Sequence, residues 1–355
     1  MGSKITGTGS AMPSRVITND YFLDHTFYTK EGKKNEKSTA AIIQKLEEIS
    51  GIKERRFIPE DEPSVEILFQ ACSNAIQDAG IDKNEIDGLI VAHNAGNMLP
   101  NQVGVFHTVP NLAAVVKNKL GITNHQCHAY DILFGCPGWL QGVIQANRLI
   151  ESGEATHVLV AGLEIASRLL DPNDVDSLLL ADGCGATIVS KSESKDKGVL
   201  AHAMFSHTEE DLNNITLGAS LNRETTGHCF FKMNGQRVYK YATTWLPQVI
   251  RQALDKVEIT PSEVDYFFFH QANAKMLRVI ASNLMDLYGI TDQQYVDKIP
   301  SSIRFLGNTS VATIPTLFDL VNKQQMEGFT LKEGQTYVFA SVGAGMHCNA
   351  VVYKS

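Results

Sequence analysis

The chain has 355 residues, 43% of them hydrophobic and 20% charged, and its 31 Lys plus Arg against 39 Asp plus Glu give a net charge of −8. That length holds one large domain or two of ordinary size, each able to bury a core. The apolar content excludes a disordered chain, no stretch reaches the ~20 apolar residues that cross a bilayer, and the acidic balance excludes a general nucleic-acid binder.

The N-terminus has no apolar h-region, which argues against secretion, and Lys4–Ser10 reads as a first strand entering a glycine turn. Six cysteines, at 72, 127, 136, 184, 229 and 348, form no C-x-x-C pair and no zinc spacing. The expectation is a cytoplasmic protein with reduced thiols and no metal site.

In chain order, short apolar runs alternate with longer two-faced segments, the pattern of α/β architecture. Strands are predicted at Gly88–Ala92, His128–Leu133, His157–Ala161, Thr187–Val189, Tyr266–Phe269, Tyr337–Ala340 and Ala350–Tyr353. Several are continuous β-branched or aromatic runs, as befits strands buried on both faces. Helices are predicted at Val65–Ala79, Trp139–Ser152, Tyr239–Val257 and Ala274–Leu287, where apolar residues recur every three or four positions.

Two segments echo each other. Ile81 to Asp87 running into Leu89-Ile90-Val91 matches Ile259 to Asp265 running into Phe267-Phe268-Phe269, at an offset of 178 residues. Val158-Leu159-Val160 and Val338-Phe339-Ala340 echo at 180. Two matches at nearly equal spacing indicate duplicated halves, 1–195 and 196–355, with the charged stretch Lys191–Lys197 as the seam.

Cys136 follows a strand and precedes Pro137, a residue favoured at a first helical position. A helix N-terminus favours a thiolate, so a depressed pKa and a nucleophilic role are expected there; an inert buried cysteine fits the same position. His270 ends the strand Tyr266–Phe269, and in parallel sheets sites gather at the carboxyl ends of strands. A core histidine reads equally well from its residue alone. Asn308, in Leu306-Gly307-Asn308-Thr309-Ser310, is either part of a plain turn or a carboxamide donor to an oxyanion. Gly343-Ala344-Gly345 is a loop that lets backbone amides approach a ligand.

Taken together, Cys136-Pro-Gly, His270-Gln-Ala-Asn273, Gly307-Asn-Thr-Ser310 with Ile314-Pro315, and Gly343-Ala-Gly345 resemble, in order, the motifs of β-ketoacyl-acyl-carrier-protein synthase III. Lys4 to Ser10 with Pro13, Gly51-Ile-Lys-Glu-Arg55, and Asp171-Pro-Asn-Asp174 before Ala181-Asp-Gly-Cys-Gly-Ala186 are similar too, so the resemblance covers the whole chain. It implies the thiolase-like duplicated five-layer αβαβα fold, with the nucleophile in the first half and His270 and Asn308 in the second. It also implies a homodimer without a cofactor.

By this resemblance Cys136 accepts an acyl group from a thioester, and the backbone N–H groups of Cys136 and Ala344 form the oxyanion hole. His270 and Asn308 then hold the thioester carbonyl of a malonyl-carrier extender for decarboxylative Claisen condensation. The alternative is acyl transfer to an alcohol or amine, with His270 as general base and no decarboxylation. Acyl carrier protein is the implied partner, docked on a basic patch at Lys275 and Arg278, with Lys232, Arg237 and Lys240 as further candidates. The family's coenzyme A clamp is altered, Lys45 and Ile49 standing at two of its positions and Val175 at a third. That turns the expectation towards an acyl-carrier donor or a coenzyme A held differently. Phe134, Trp139, Gly343 and Gly345 are the expected substrate-binding neighbours, with core packing as the alternative for the two aromatics, and Asn97–Val109 looks like an insertion that sets chain length or is a plain surface loop.

Overall fold

The apolar runs pair into two mixed sheets. In the computed structural model, which describes residues 2–291 and 294–355, the first sheet holds β1 (Gly2–Ala11), β2 (Gly88–His93), β3 (His128–Leu133), β4 (His157–Ile165) and β5 (Asp182–Ser192). Their spatial order is β1-β5-β4-β2-β3. The second sheet holds β6 (Gly198–Ser206), β7 (Tyr266–Phe269), β8 (Thr336–Gly343) and β9 (His347–Lys354) in the order β7-β8-β9-β6.

β2 runs parallel to β3 and β4, and β4 runs antiparallel to β5, which runs antiparallel to β1. β7 runs parallel to β8, β8 antiparallel to β9, and β9 antiparallel to β6. The series β1-β5-β4-β2 and β6-β9-β8-β7 therefore share order and direction. The sequence echoes at 178 and 180 residues mark equivalent strands, β2 with β7 and β4 with β8.

Five layers follow from which faces are apolar. Helix α2 (Ser64–Ala79) covers the outer face of the first sheet, while α4 (Gly235–Asp255) and α5 (Ala274–Leu287) cover the outer face of the second. Between the sheets lie α3 (Gly138–Glu151) and α6 (Thr313–Asn322), buried on nearly every face because both neighbours are sheets. Trp139, Val143, Leu317 and Phe318 from these helices meet Val160 of one sheet and Phe268 and Phe339 of the other. Each such buried side chain contributes roughly 1.5–3 kcal/mol. Helix α1 (Thr39–Ser50) packs outside this stack against Phe22, Phe57 and Leu178. No helix among the described residues is long and apolar enough to cross a membrane.

The strands and helices predicted from periodicity are all present, His128–Leu133, Tyr266–Phe269 and Ala274–Leu287 with their predicted bounds and the others with shifted ends. Helix α4 begins at Gly235, four residues before its predicted start, because the Asn234 side chain caps it. The largest difference is β5, an eleven-residue strand of which Thr187–Val189 is only a part. Its glycines lie outside the predicted strand, and a Cβ at Gly185 would lie 2.6 Å from the Thr316 backbone nitrogen. Glycine is there because α6 lies directly on the strand.

Candidate active site

The carboxyl ends of β3, β4, β7 and β8 and the starts of the two central helices converge. After β3 the chain turns through Gly135, φ +62°, and delivers Cys136 two residues ahead of α3. Pro137 takes the cap position rather than the first helical one. Its carbonyl accepts from the Gln141 N–H at 2.9 Å and from Asn349 Nδ2 at 3.1 Å, which fixes the turn.

The loop after β8 meets this turn backbone to backbone. A Cβ added at Gly343 would lie 2.6 Å from the Cys136 nitrogen, and one at Gly135 would lie 2.7 Å from the Ala344 nitrogen. Only glycine permits that approach, and it sets the amides of Cys136 and Ala344 side by side. Gly345, φ +75°, makes the following turn against the His347 ring.

His270 follows β7 and is 4% exposed. Its Nδ1 lies 2.9 Å from the Thr313 hydroxyl, which donates to the Ser310 carbonyl at 2.9 Å. A hydroxyl has one proton to give, so Nδ1 carries the hydrogen and Nε2 is the nitrogen left for a substrate. Burial pulls His270 down to about 4, opposed by the Ser310 carbonyl, so the imidazole is neutral.

Asn308 is bracketed by backbone bonds, its N–H donating to the Leu179 carbonyl at 3.0 Å and its carbonyl accepting from Ala181 at 2.9 Å. Its Oδ1 accepts the Ser310 N–H at 2.8 Å, so the NH2 group is what it offers the site. Ser310 itself sits at φ +47°, a costly conformation for a residue with a Cβ.

Cys136, His270 and Asn308 line one cavity of about 350 Å³ whose walls include Leu179, Phe231 and Met276 and whose rim includes the exposed Ile49. The expected depressed thiol pKa is not what the surroundings produce. Burial pushes Cys136 up to about 12 and the Glu164 carboxylate adds to it, against the Ser310 hydroxyl at 3.2 Å and the cysteine's own N–H. Desolvation outweighs the helix end.

Phe134 and Trp139 do not line this cavity. Phe134 stacks on His347 at 4.1 Å between ring centres, and Trp139, 1% exposed, packs edge-on against Phe339 in the core between the sheets. Lys275 and Arg278 are exposed on α5, flanking the cavity-lining Met276. Lys232 is no free docking cation, because it is paired with Asp171 at 2.5 Å and Asp174 at 3.0 Å. Lys45 is exposed on α1 one turn before Ile49, and Val175 lines an adjoining recess that shares Asp176 with the cavity. The segment 97–109 is a loop closed by paired backbone bonds between Asn97 and His107, and it gives the cavity no residue.

Two family models match the chain, 3-oxoacyl-[acyl-carrier-protein (ACP)] synthase III over residues 130–208 and its C-terminal counterpart over 254–355. A beta-ketoacyl-[acyl-carrier-protein] synthase III 1 of Vibrio parahaemolyticus is 31% identical over 359 residues, covering 100% of both chains. One from Ruegeria pomeroyi is 30% identical, covering 99% of this chain and 98% of its own. The chain belongs to the 3-oxoacyl-[acyl-carrier-protein] synthase III family. The crystal structure of the Aquifex aeolicus 3-oxoacyl-[acyl-carrier-protein] synthase III superposes with a TM-score of 0.80 at 27% identity, over 100% of both chains. The fold is accordingly the duplicated thiolase type.

Within this synthase III framework, Arg55 of the Gly51–Arg55 motif is structural. It is 1% exposed and donates to the Leu178 carbonyl at 2.6 Å, bracing the segment that holds Asn308. Sequence reasoning missed Asn94, Glu164, Thr313 and Asn349. Glu164 alone left a signal, as a carboxylate ending the apolar strand His157–Ile165.

Proposed function

We propose that the protein is a condensing enzyme of fatty acid synthesis, joining an acyl group held on Cys136 to a malonyl-carrier extender and releasing carbon dioxide and a 3-oxoacyl thioester. The observation that carries this reading is the meeting of a cysteine, a neutral imidazole and a carboxamide NH2 in one cavity that opens to the surface. The thiolate of Cys136 attacks the donor thioester, and the Cys136 and Ala344 amides take the developing oxyanion. Splitting the transfer through an acyl-cysteine replaces one hard encounter with two easier ones.

When the extender enters, its carbon–carboxylate bond breaks and charge moves into the thioester carbonyl. Asn308 offers a ready donor to that enolate oxygen. His270 is the second donor in its protonated form, through Nε2, and a dry site makes both worth far more than in water. Condensation takes up one proton overall, which fits an imidazole that charges only as the enolate forms. The carbanion then attacks the Cys136 thioester, whose C–S bond breaks to release the 3-oxoacyl product and a Cys136 thiolate that ends with the proton taken up.

The division of labour runs between residues 1–195, which supply the cysteine, and 196–355, which supply His270, Asn308 and Ala344. The acyl donor in this reading is carrier-bound rather than free coenzyme A, supported by the altered clamp positions, Ile49 at the rim, Lys45 one turn before it and Val175 in the adjoining recess. The carrier docks on Lys275 and Arg278, exposed beside the mouth. A homodimer is supported by the open edge at His128–Leu133, where Leu133 is 66% exposed.

Incubation with malonyl-carrier and an acyl thioester tests the reading. Carbon dioxide with a 3-oxo product is the expected result, and transfer to an alcohol or amine without carbon dioxide overturns it. Cys136→Ala must lose the acyl adduct seen by intact-protein mass spectrometry.

A further inference from the structure

The condensation just described leaves the first proton unaccounted for: the thiol of Cys136 must lose it, and burial holds it in place. His270 does not hydrogen-bond the sulfur among the described residues; Ser310 does, with Oγ 3.2 Å from Sγ. Behind Ser310 lies Glu164, 4% exposed, at the end of β4. Asn94 Nδ2 donates both to the Glu164 carboxylate and, at 3.0 Å, to the Ser310 oxygen, so one amide group holds the hydroxyl beside the carboxyl.

We propose that Ser310 and Glu164 form a proton relay for Cys136, in which the thiol proton passes to the Ser310 oxygen as the hydroxyl's own proton passes to the Glu164 carboxylate. The inference rests on the reading of Cys136 as the nucleophile. The geometry permits one direction of hydrogen bonding throughout. Asn94 fills an acceptor site of the Ser310 oxygen, and with the S–H donating to its remaining lone pair the hydroxyl is free to turn its single proton to the carboxylate. The Asn308 side chain holds Ser310 at φ +47° by accepting its N–H, so the turn that presents the carboxamide also fixes the middle of the relay.

The charges balance without leaving a new one buried. One S–H bond breaks, one O–H bond forms on Glu164, and a single negative charge moves from carboxylate to sulfur. After the thiolate attacks the donor carbonyl and the donor's C–S bond breaks, the departing thiolate takes the Ser310 hydroxyl proton and Glu164 returns its own to the Ser310 oxygen. Burial raises Glu164 to about 7, with Asp182 adding and the Asn94 and Ser310 hydrogen bonds opposing, so near neutral pH it can both release and accept a proton. Its charge opposes the thiolate, and accepting the proton removes it. The other titratable groups near this cluster are committed elsewhere, Asp182 to Ser167 and the Ile58 N–H and His270 to Thr313.

The test is the rate at which iodoacetamide alkylates Cys136 as pH is raised, read by peptide mass mapping so that the exposed Cys229 is scored separately. In the wild type the rate should climb through an inflection near 7, where Glu164 ionises, and then level off. Glu164→Gln and Ser310→Ala should each lower the neutral-pH rate by roughly a hundredfold and replace the inflection with a steady rise. Glu164→Asp should restore part of the plateau, and His270→Ala should keep it. A wild type without the inflection overturns the relay even if both variants misfold, and so does an inflection that survives in Glu164→Gln. Loss of the acyl adduct on Cys136 itself would instead remove the nucleophile reading beneath it.

Discussion

His270 and Thr313 are joined at 2.9 Å between Nδ1 and Oγ1, and the Thr313 proton is committed to the Ser310 carbonyl. The bond decides which nitrogen of the ring meets the substrate. Thr313→Val should therefore leave acylation of Cys136 near wild type while lowering kcat for condensation by about tenfold, within the range for groups that orient a working side chain. Thr313→Ser should recover most of it. His270→Ala should acylate and fail to condense, and single-turnover assays of the two half-reactions separate these outcomes. Equal loss of both steps in His270→Ala would make the histidine a base in acylation.

Gly343 offers a test of the oxyanion hole that leaves every side chain of the site in place. Its φ of −171° suits any residue, so the cost of Gly343→Ala is contact alone. The new methyl would meet the Cys136 nitrogen at 2.6 Å and the Pro137 ring at 2.8 Å, neither of which can swing away. Forcing the two loops apart should slow acylation by roughly 100-fold or more, the usual effect of losing one oxyanion donor. Thermal unfolding should fall by only a few degrees. Acylation at the wild-type rate would show that the Ala344 amide takes no part.

The strands, the duplicated halves and three residues of the site were legible because each leaves a local mark. Cys136, His270 and Asn308 each interrupt an apolar run at an element end, where strand termini and helix starts collect. The rest depends on what the fold brings together. Thr313 and Ser310 read as small residues in a turn, Asn349 as a polar gap in a strand, and nothing in their neighbourhoods points to Cys136 or His270. The thiol's acidity was misjudged for the same reason. A helix end is visible in the chain, whereas the burial that overrides it, and the Glu164 charge 28 positions away, are not. Lys232 reads as a surface cation until Asp171 and Asp174 are seen beside it.

That pairing separates structural from docking charges. Burial works to raise Asp171, but Lys232, the Leu221 and Asn173 N–H groups and Ser220 overcome it and hold the carboxyl below its usual range. Lys232→Met would strand a buried carboxylate, an error that costs about 3–5 kcal/mol, and should lower the melting temperature without changing the carrier's KM. Lys275→Glu with Arg278→Glu should do the reverse, raising the KM for an acyl-carrier substrate by about tenfold at low salt, less at high salt, with stability unchanged. A carrier KM that ignores the double variant would move the docking surface elsewhere.

Glu164 also makes stability depend on pH in a direction opposite to that of a salt-bridged carboxylate. Folding raises it from 4.5 to about 7, so between those values the native state binds more protons than the unfolded chain. Unfolding free energy then falls as pH rises through that window. The contribution is whole below about 4.5 and gone above about 7. Glutamine keeps the shape but cannot ionise, so the melting temperature of Glu164→Gln minus that of the wild type should grow more positive from about pH 4.5 to about pH 7. Asp176, also raised by burial, is common to both proteins and cancels in the difference, whereas Asp182, whose charge adds to the rise of Glu164, moves the difference in the same direction. Paired thermal scans in the same buffers measure it. A flat or falling difference would mean that Glu164 is ionised throughout, with no capacity to take a proton from Ser310.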